Sequence, residues 1–552
     1  AGIATQAIVE KQLKKEGITK EMLGREQFVK KVWEWKETYG NRIEKQLRKL
    51  GSSFDWERKS FTLDQQRTNG VLSAFSQLYQ KGYIYRANRL VNWSCQLKTV
   101  ISDIEVEPME ISGPTKYKVP SDSYLAEIGV LIEFAYKIKD TNEEIIVATT
   151  RLETMLGDVA VAVHSNDSRY SHLIGKELIH PFIKERKMII IIDDILVDMN
   201  YGTGAVKITP AHDINDMECG KRNNLNFINI LNDDGSLNEN AGEFKGKGRY
   251  EVRTLLEDAL KQKGLYRNKK PNPMSIGKCS RSGDIIEPLM KPQWFMKCSE
   301  IGPRMIQVVE NGELNISPES HCKIWKHWIS NLQDWCISRQ LWWGHRIPAY
   351  RILIKDENGD YFYKDDKEND IWIIDTNEEE VKCKAKKIIQ NKFIYEIIQD
   401  EDVLDTWFSS ALLPFTNFDW PNKSEEFNAF FPNTTLETGY DILFFWVARM
   451  VMMSLILENK LPFKNVLLHN LVRDENREKM SKSKGNVIDP LDIINGCPLD
   501  NLIQTIKDSL LPEKEKEKAI IMKKKNLPEG LPVCGADALR FSLLSYVTEN
   551  KD

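Results

Sequence analysis

The chain has 552 residues, 41% of them hydrophobic and 29% charged, which excludes collagenous, disordered and mucin-like classes. At about 150 residues per domain it is long enough for three or four domains, or for one fold carrying large insertions. Lysine and arginine number 77 against 81 acidic residues, a net charge of −4, so any nucleic-acid partner has to be held by local basic patches rather than by a global field.

In chain order, residues 1 to about 92 read as helices. Phe28, Val32, Trp35 and Lys36 recur every three or four positions, and Val71, Ala74, Phe75, Leu78 and Tyr79 do so again. From Ile128 the texture changes to short β-branched runs, Ile145 to Val147, Val159 to Val163, Ile189 to Ile192 and Val206 to Ile208, punctuated by Gly157, Gly202 and Gly204. Residues 125–268 therefore read as a β-rich inserted domain. Tryptophan and arginine concentrate at 324–350, a charged ribbon follows over 352–402, and a helix is expected from Asp441 to about Leu457. Its apolar part, Phe444 to Leu457, carries Arg449 and is shorter than the roughly 20 residues that span a bilayer, so it reads as a buried helix and no membrane is expected. Asn465 to Leu468 reads as a strand entering a loop. The charge run Pro512 to Asn526 reads as a solvated helix or loop, and no internal repeat is found.

Nine cysteines, none in a C-x-x-C pair, and the absence of a signal peptide point to free thiols in a reducing, cytoplasmic compartment. The chain opens on Ala1, not Met, and is expected to start inside a longer protein.

The loop Lys479-Met480-Ser481-Lys482-Ser483 with Lys484-Gly485-Asn486 puts three lysines and two hydroxyls together after a strand. Read alone it is either a basic surface loop or a cradle for a triphosphate, where flexible ammonium groups follow charge developing on pyrophosphate. Likewise Asp213-Ile214-Asn215-Asp216 reads by itself as a helix N-cap, and Trp407 and Ile442 as core residues.

The string KMSKSKGNVIDP resembles the second signature of the class I aminoacyl-tRNA synthetases. AGIATQAIVEK at the start, WCISRQLWWGHRIPAY (335–350), and ATTRLETMLGDVAVAV with GTGAVKITPAHDIND resemble other stretches of that family, the last two its editing insertion. DVLDTWFSSAL (402–412) and TGYDILFFWVARM (438–450) resemble the valyl-tRNA synthetase branch rather than the isoleucyl or leucyl ones. The resemblance implies an α/β fold, a Rossmann-like catalytic domain split by a β-rich editing insertion. It divides the chain into a first catalytic half at 1–92, a connective insertion at 93–330 with its editing core at about 125–268, a second catalytic half at 331–490 and the start of a stem-contact region at 491–552.

What the resemblance implies about function is ATP- and Mg²⁺-dependent activation of valine, transfer to the 2′-hydroxyl of the terminal adenosine of the tRNA for valine, and hydrolysis of threonyl-tRNA. A monomer is expected. Lys479, Ser481, Lys482 and Ser483 are implied for transition-state stabilisation, Lys482 and His469 for ATP, and Trp407, Asp441 and Ile442 for the amino-acid pocket. Thr149, Thr150, Arg151, Glu153 and Thr154, with Lys207, Thr209, Asp213 and Asp216, are implied for editing.

The sequence departs from the family pattern in three places. No H-x-G-H first signature occurs, and Trp343-Gly344-His345 does not supply one. The chain also stops soon after Leu539 to Ser542, before the family's anticodon-binding domain. A fragment inactive in activation is therefore expected. Bacterial relatives carry paired cysteines near the positions of Cys95 and Cys279, which here are single, so no zinc is expected and the pattern resembles the eukaryotic cytosolic branch. The alternatives are an isoleucyl-tRNA synthetase, or a tRNA-binding or editing factor with a vestigial catalytic half.

Overall fold

The structure, a computed structural model, describes residues 2–355, 371–389, 394–474, 477, 480, 486–509, 511 and 513–548. The chain divides into two compact units: a split unit made of Ala1–Tyr85 and Trp294–Asp552, and an inserted unit, Arg86–Gln293. The chain passes between them inside two strands, Ile84–Ser94 and Glu287–Met296. The first of these corrects the helical reading of residues 1–92. The three-to-four periodicity ends at Tyr79, the helix Gln65–Gln80 ends with it, and Ile84 onward is extended.

In the split unit the early helices form where the sequence places both a cap and an apolar stripe. Thr19 accepts from the Met22 N–H at 3.4 Å at the start of Lys20–Tyr39, which buries Phe28 and Val32. Asp64 accepts from the Arg67 N–H at 2.9 Å at the start of Gln65–Gln80, which buries Val71, Ala74, Phe75 and Leu78. Phe75 meets Trp294 edge-to-face at 5.7 Å, a favourable arrangement for two ring quadrupoles.

The core sheet of this unit is parallel, with Phe463–His469 in the middle, Asn315–Ser317 on one side and Asn433–Gly439 on the other. Parallel neighbours need a crossover, and here it is the helical run from Tyr440 to Leu457. By length and composition alone that run would also suit a membrane, but Met450 to Leu457 are all buried in the core of the unit. Residues 352–402 are more than a charged ribbon. Ala349–Lys355 pairs antiparallel with both Ile371–Ile374 and Ile394–Gln399, and the helix Glu378–Ile389 buries Val381, Ala385 and Ile389 at four-residue spacing. Exposed charges between those positions hid this small core from a composition-based reading. The helix Glu513–Asn526 buries nothing, as its charge run implies.

The inserted unit is built on a seven-stranded mixed sheet. Ala160–Val163 is buried along its length because it is flanked on both sides, by Lys187–Ile192 in parallel and by Ala205–Ile208 antiparallel. Val130–Ile138 pairs with Glu144–Thr149, Glu177–Ile179 and Tyr266–Pro271. Together the two units make the α/β fold with a sheet-rich insertion.

One helical glycine sets two effects against each other. A Cβ on Gly70 would lie 2.7 Å from Thr416 Cγ2 and 2.9 Å from the Trp420 carbonyl oxygen. Helix propensity alone makes Gly→Ala stabilising by about 1 kcal/mol, but the backbone carbonyl cannot yield cheaply. Gly70→Ala is expected to lower the melting temperature of the chain in a thermal scan, where propensity would raise it.

Candidate functional site

In the split unit, Asn433–Gly439 and Phe463–His469 run in parallel with Gly439 opposite His469. Their carboxyl ends therefore bring the Tyr440–Ile442 turn and His469 to one edge of the sheet, the edge at which open α/β sheets present ligand sites. Gly439 leaves room there for the Asp441 side chain, whose Oδ1 lies 2.7 Å from where a Cβ would sit and would have to move to admit one. His469 is engaged by its Nδ1 with the Asn470 carbonyl at 2.8 Å and by its Nε2 with Glu437 at 2.7 Å. Trp407 lies half-buried on the helix Thr406–Ala411, and this helix is tied to the segment after Ile442 by the Trp446 indole N–H, which donates to the Ser410 carbonyl at 3.0 Å. Trp446 is a neighbour that periodicity does not single out, because it sits within an unbroken apolar run. Lys479, Ser481, Lys482 and Ser483 lie outside the described residues.

Beside the same helix, a cavity of about 220 Å³ is lined by Trp35, Phe61, Trp343, His345, Thr406 and Ser409. His345 is buried, among the described residues neither ring nitrogen makes a hydrogen bond of normal geometry, and burial lowers its pKa to about 4, so its imidazole is neutral at pH 7.

The inserted unit gathers a second polar cluster. Lys207 is the penultimate residue of the strand Ala205–Ile208 and Thr209 follows just beyond the strand end, two positions on and so on the same face. The Lys207 ammonium donates to Asp158 at 2.9 Å and to the Thr209 hydroxyl at 2.6 Å, while the Thr209 hydroxyl donates to Asp158. The Thr209 backbone N–H donates to Asp216 Oδ2 at 2.7 Å. Among the described residues no hydrogen bond reaches Asp216 Oδ1. Burial raises the Asp216 pKa to about 7, with Asp213 and Asp158 adding to the rise, and Lys207 and the Thr209 N–H opposing it. Asp213 is the N-cap of the helix Ile214–Arg222, accepting from Asn215 and Asp216 N–H groups at 2.8 and 3.1 Å. The helix cap and the buried carboxyl are thus three positions apart in one motif.

The remaining positions of this second set are engaged locally. Thr149 accepts from the Arg151 N–H at 3.0 Å, and the Thr154 hydroxyl donates to the Arg151 carbonyl at 2.9 Å. Thr150, between them, is half-buried. Glu153 is held by Arg253 at 2.6 and 2.8 Å. Arg151 pairs with Glu287, which also takes Arg249 at 2.9 Å. Although burial pushes the Glu287 carboxyl upward, Arg151, then His212 and Arg249, hold it well below the usual carboxylate range.

The donor set near Cys95 does not suit zinc. The Cys95 sulfur accepts from the Arg249 guanidinium at 3.2 Å, and burial pushes the thiol up to about 12, whereas zinc takes a thiolate and no neighbouring cation. Cys279 is buried, and among the described residues no group of three or more His, Cys, Asp or Glu side chains could hold a metal ion.

A parallel-sheet unit interrupted by a β-rich unit, each with its own polar cluster, is the arrangement of a class I synthetase catalytic region. The family described as tRNA synthetases class I (I, L, M and V) matches residues 1–552, and the chain belongs to this family. Its relatives include the valine–tRNA ligase of Caenorhabditis elegans, 51% identical over 554 residues, covering 100% of this chain and 52% of the relative. The mitochondrial valine–tRNA ligase of Saccharomyces cerevisiae is 52% identical over 555 residues, covering 100% and 50%, and the Homo sapiens valine–tRNA ligase is 50% identical over 558, covering 100% and 44%. The chain spans about half the length of the curated relatives it matches.

Two measurements check this geometry. A carboxyl whose pKa is raised in the folded state contributes stability that is full below its unfolded value and is lost as pH rises through the folded value. For Asp216 that window runs from 3.8 to about 7. Asp216→Asn is therefore expected to be more stable than the parent at pH 8, by up to a few kcal/mol at about 1.4 kcal/mol per unit, and equal to it near pH 4, read from urea melts at both pH values. Purified chain analysed by plasma mass spectrometry is expected to carry no stoichiometric zinc.

Proposed function

We propose that this chain is the catalytic and editing region of a valine–tRNA ligase. In the full-length protein, the split unit would join valine to ATP as valyl-adenylate with release of pyrophosphate, Mg²⁺ accompanying the nucleotide. It would then pass the valyl group to the 2′-hydroxyl of the terminal adenosine of the tRNA for valine. The observation that supports this half is the register of the two parallel strands, which sets Asp441, Ile442 and His469 at one sheet edge with Trp407 on the helix tied to it. Trp407 and Ile442 would wall the valine methyls, Asp441 would face the ammonium, and His469 would lie by the nucleotide. Lys479, Ser481, Lys482 and Ser483 would stabilise the departing pyrophosphate, Lys482 also holding ATP.

The inserted unit would hydrolyse threonyl-tRNA. Water adds to the ester carbonyl carbon, the bond to the ribose oxygen breaks, the ribose takes the proton, and threonine and free tRNA leave. Threonine and valine have nearly the same shape, so size cannot separate them. A buried polar pocket can, because valine would leave its donors and acceptors unpaired at about 1–3 kcal/mol each. Lys207, Thr209 and Asp216 Oδ1, which no hydrogen bond reaches among the described residues, would supply such a pocket, with Asp213 capping the helix that carries Asp216, and with Thr149, Thr150, Arg151, Glu153 and Thr154 forming the adjoining wall. We further infer a monomer in a reducing, cytoplasmic setting, supported by nine free cysteines, although relatives from yeast and Arabidopsis carry mitochondrial names.

The full-length protein is expected to catalyse pyrophosphate exchange with valine and not with isoleucine, and exchange driven by isoleucine would overturn the valine assignment. Asp216→Ala is expected to slow deacylation of threonyl-tRNA by at least about tenfold while valine-dependent exchange changes little, since the two sites lie in different units.

A further inference from the structure

One of the buried carboxylates of the inserted unit lies within the stretch ATTRLETMLGDVAVAV but is not among the residues implied for editing. Asp158 sits just before the fully buried strand Ala160–Val163 and has no exposed surface. Its two oxygens face different partners. Oδ2 accepts from the Tyr136 hydroxyl at 2.7 Å, on the strand Val130–Ile138 in the core of the sheet. Oδ1 accepts from the Lys207 ammonium at 2.9 Å and from the Thr209 hydroxyl. One oxygen is thus anchored to the scaffold and the other to the polar cluster.

Stoichiometry gives this arrangement a consequence. An ammonium has three donors, and two of those on Lys207 are spent on Asp158 and Thr209. Thr209 spends its hydroxyl proton on Asp158 and its backbone N–H on Asp216. Among the described residues, what remains for a ligand is the third Lys207 donor and Asp216 Oδ1, and their orientation is set by the groups already bonded. Remove the charge of Asp158, and Lys207 and Thr209 lose the charged acceptor that fixes them, while the strand Ala205–Ile208, which carries Lys207 and leads into Thr209, keeps its ladder to Ala160–Val163.

We propose that Asp158 is a positioning residue for the hydrolysis of threonyl-tRNA, holding Lys207 and Thr209 so that the third Lys207 donor and the Thr209-bound carboxylate of Asp216 converge on the aminoacyl group. This rests on the editing reading of the inserted unit. Asp158 acts through Lys207 and Thr209 and touches no substrate. Asp158→Asn preserves the shape and can keep neutral contacts, its carbonyl oxygen toward Lys207 and Thr209 and its amide N–H donated to the Tyr136 hydroxyl oxygen, so what it removes is the negative charge that fixes the Lys207 ammonium.

The test is deacylation of threonyl-tRNA by this chain, with kcat and KM determined separately for the parent, Asp158→Asn, Lys207→Met and the double variant. Asp158→Asn is expected to lower kcat by about 10²-fold with KM moved less than about threefold, and to cost at least about tenfold less in the Lys207→Met background, where only Thr209 is still held by it. Parental kcat in Asp158→Asn, or the same fold-loss in both backgrounds, would mark a merely structural residue and overturn the proposal. If Lys207→Met leaves no measurable turnover, the same cycle is read from calorimetric affinity for an adenosine carrying threonine through a 2′-amide, with the same two outcomes. If Asp158→Asn does not fold by circular dichroism, Tyr136→Phe replaces it, with a kcat loss of about fivefold expected in the parent background and a smaller one in the Lys207→Met background. A parent chain that leaves threonyl-tRNA uncleaved while folded would instead overturn the editing reading and this inference with it.

Discussion

Taking a carboxylate out of water costs several kcal/mol unless cations or donors replace its hydration, and the inserted unit buries Glu153, Asp158, Asp216, Asp284 and Glu287. Its architecture follows from supplying their partners. Arg253 and Arg151 meet Glu153, Arg151 and Arg249 meet Glu287, Arg249 meets Asp284, and Lys207 with Thr209 and Tyr136 meets Asp158. These partners come from distant parts of the chain, so the network fixes loops and the helix Arg249–Gln262 against the sheet. Losing one member of such a pair costs about 3–5 kcal/mol because the other is left charged and buried.

Asp216 is the exception that makes the network informative. It faces one backbone N–H and a lysine shared with Asp158, and its pKa rises to about 7. Among the described residues no hydrogen bond reaches its second oxygen, and a strongly perturbed buried carboxyl of this kind is what makes Asp216 a candidate for the functional site. The split unit solves a different problem. Its core is aromatic and aliphatic, with Phe75, Trp294, Phe408 and Trp420 almost wholly buried, and its candidate site stands at the ends of parallel strands rather than inside a charged core. Rigid apolar packing there positions Trp407 and the Tyr440–Ile442 turn.

Much of this was legible in the sequence. Apolar spacing located the helices carrying Phe28 and Phe75, and the β-branched runs located the strands Ala160–Val163, Lys187–Ile192 and Ala205–Ile208. The reading failed where neighbours overrule local pattern. Residues 84–92 extend because strand pairing replaced helical periodicity, and 352–402 hid a core because its charges dominate its composition.

The sequence by itself determined the family, the polar residue types and their local spacing, because motifs such as GTGAVKITPAHDIND are contiguous and their chemistry is written in order. Only the tertiary structure decided what those residues are bonded to. Asp213 became a cap and Asp216 a nearly unpaired carboxylate three residues on, Arg151 and Glu153 became members of a buried ion network, and Asp158 emerged from an apolar run as the centre of the cluster. The physical reason is that burial and pairing are set by segments far apart in the chain. The distance between Asp158 and Lys207 is 49 positions in sequence and 2.9 Å in space, and no local pattern encodes the second number.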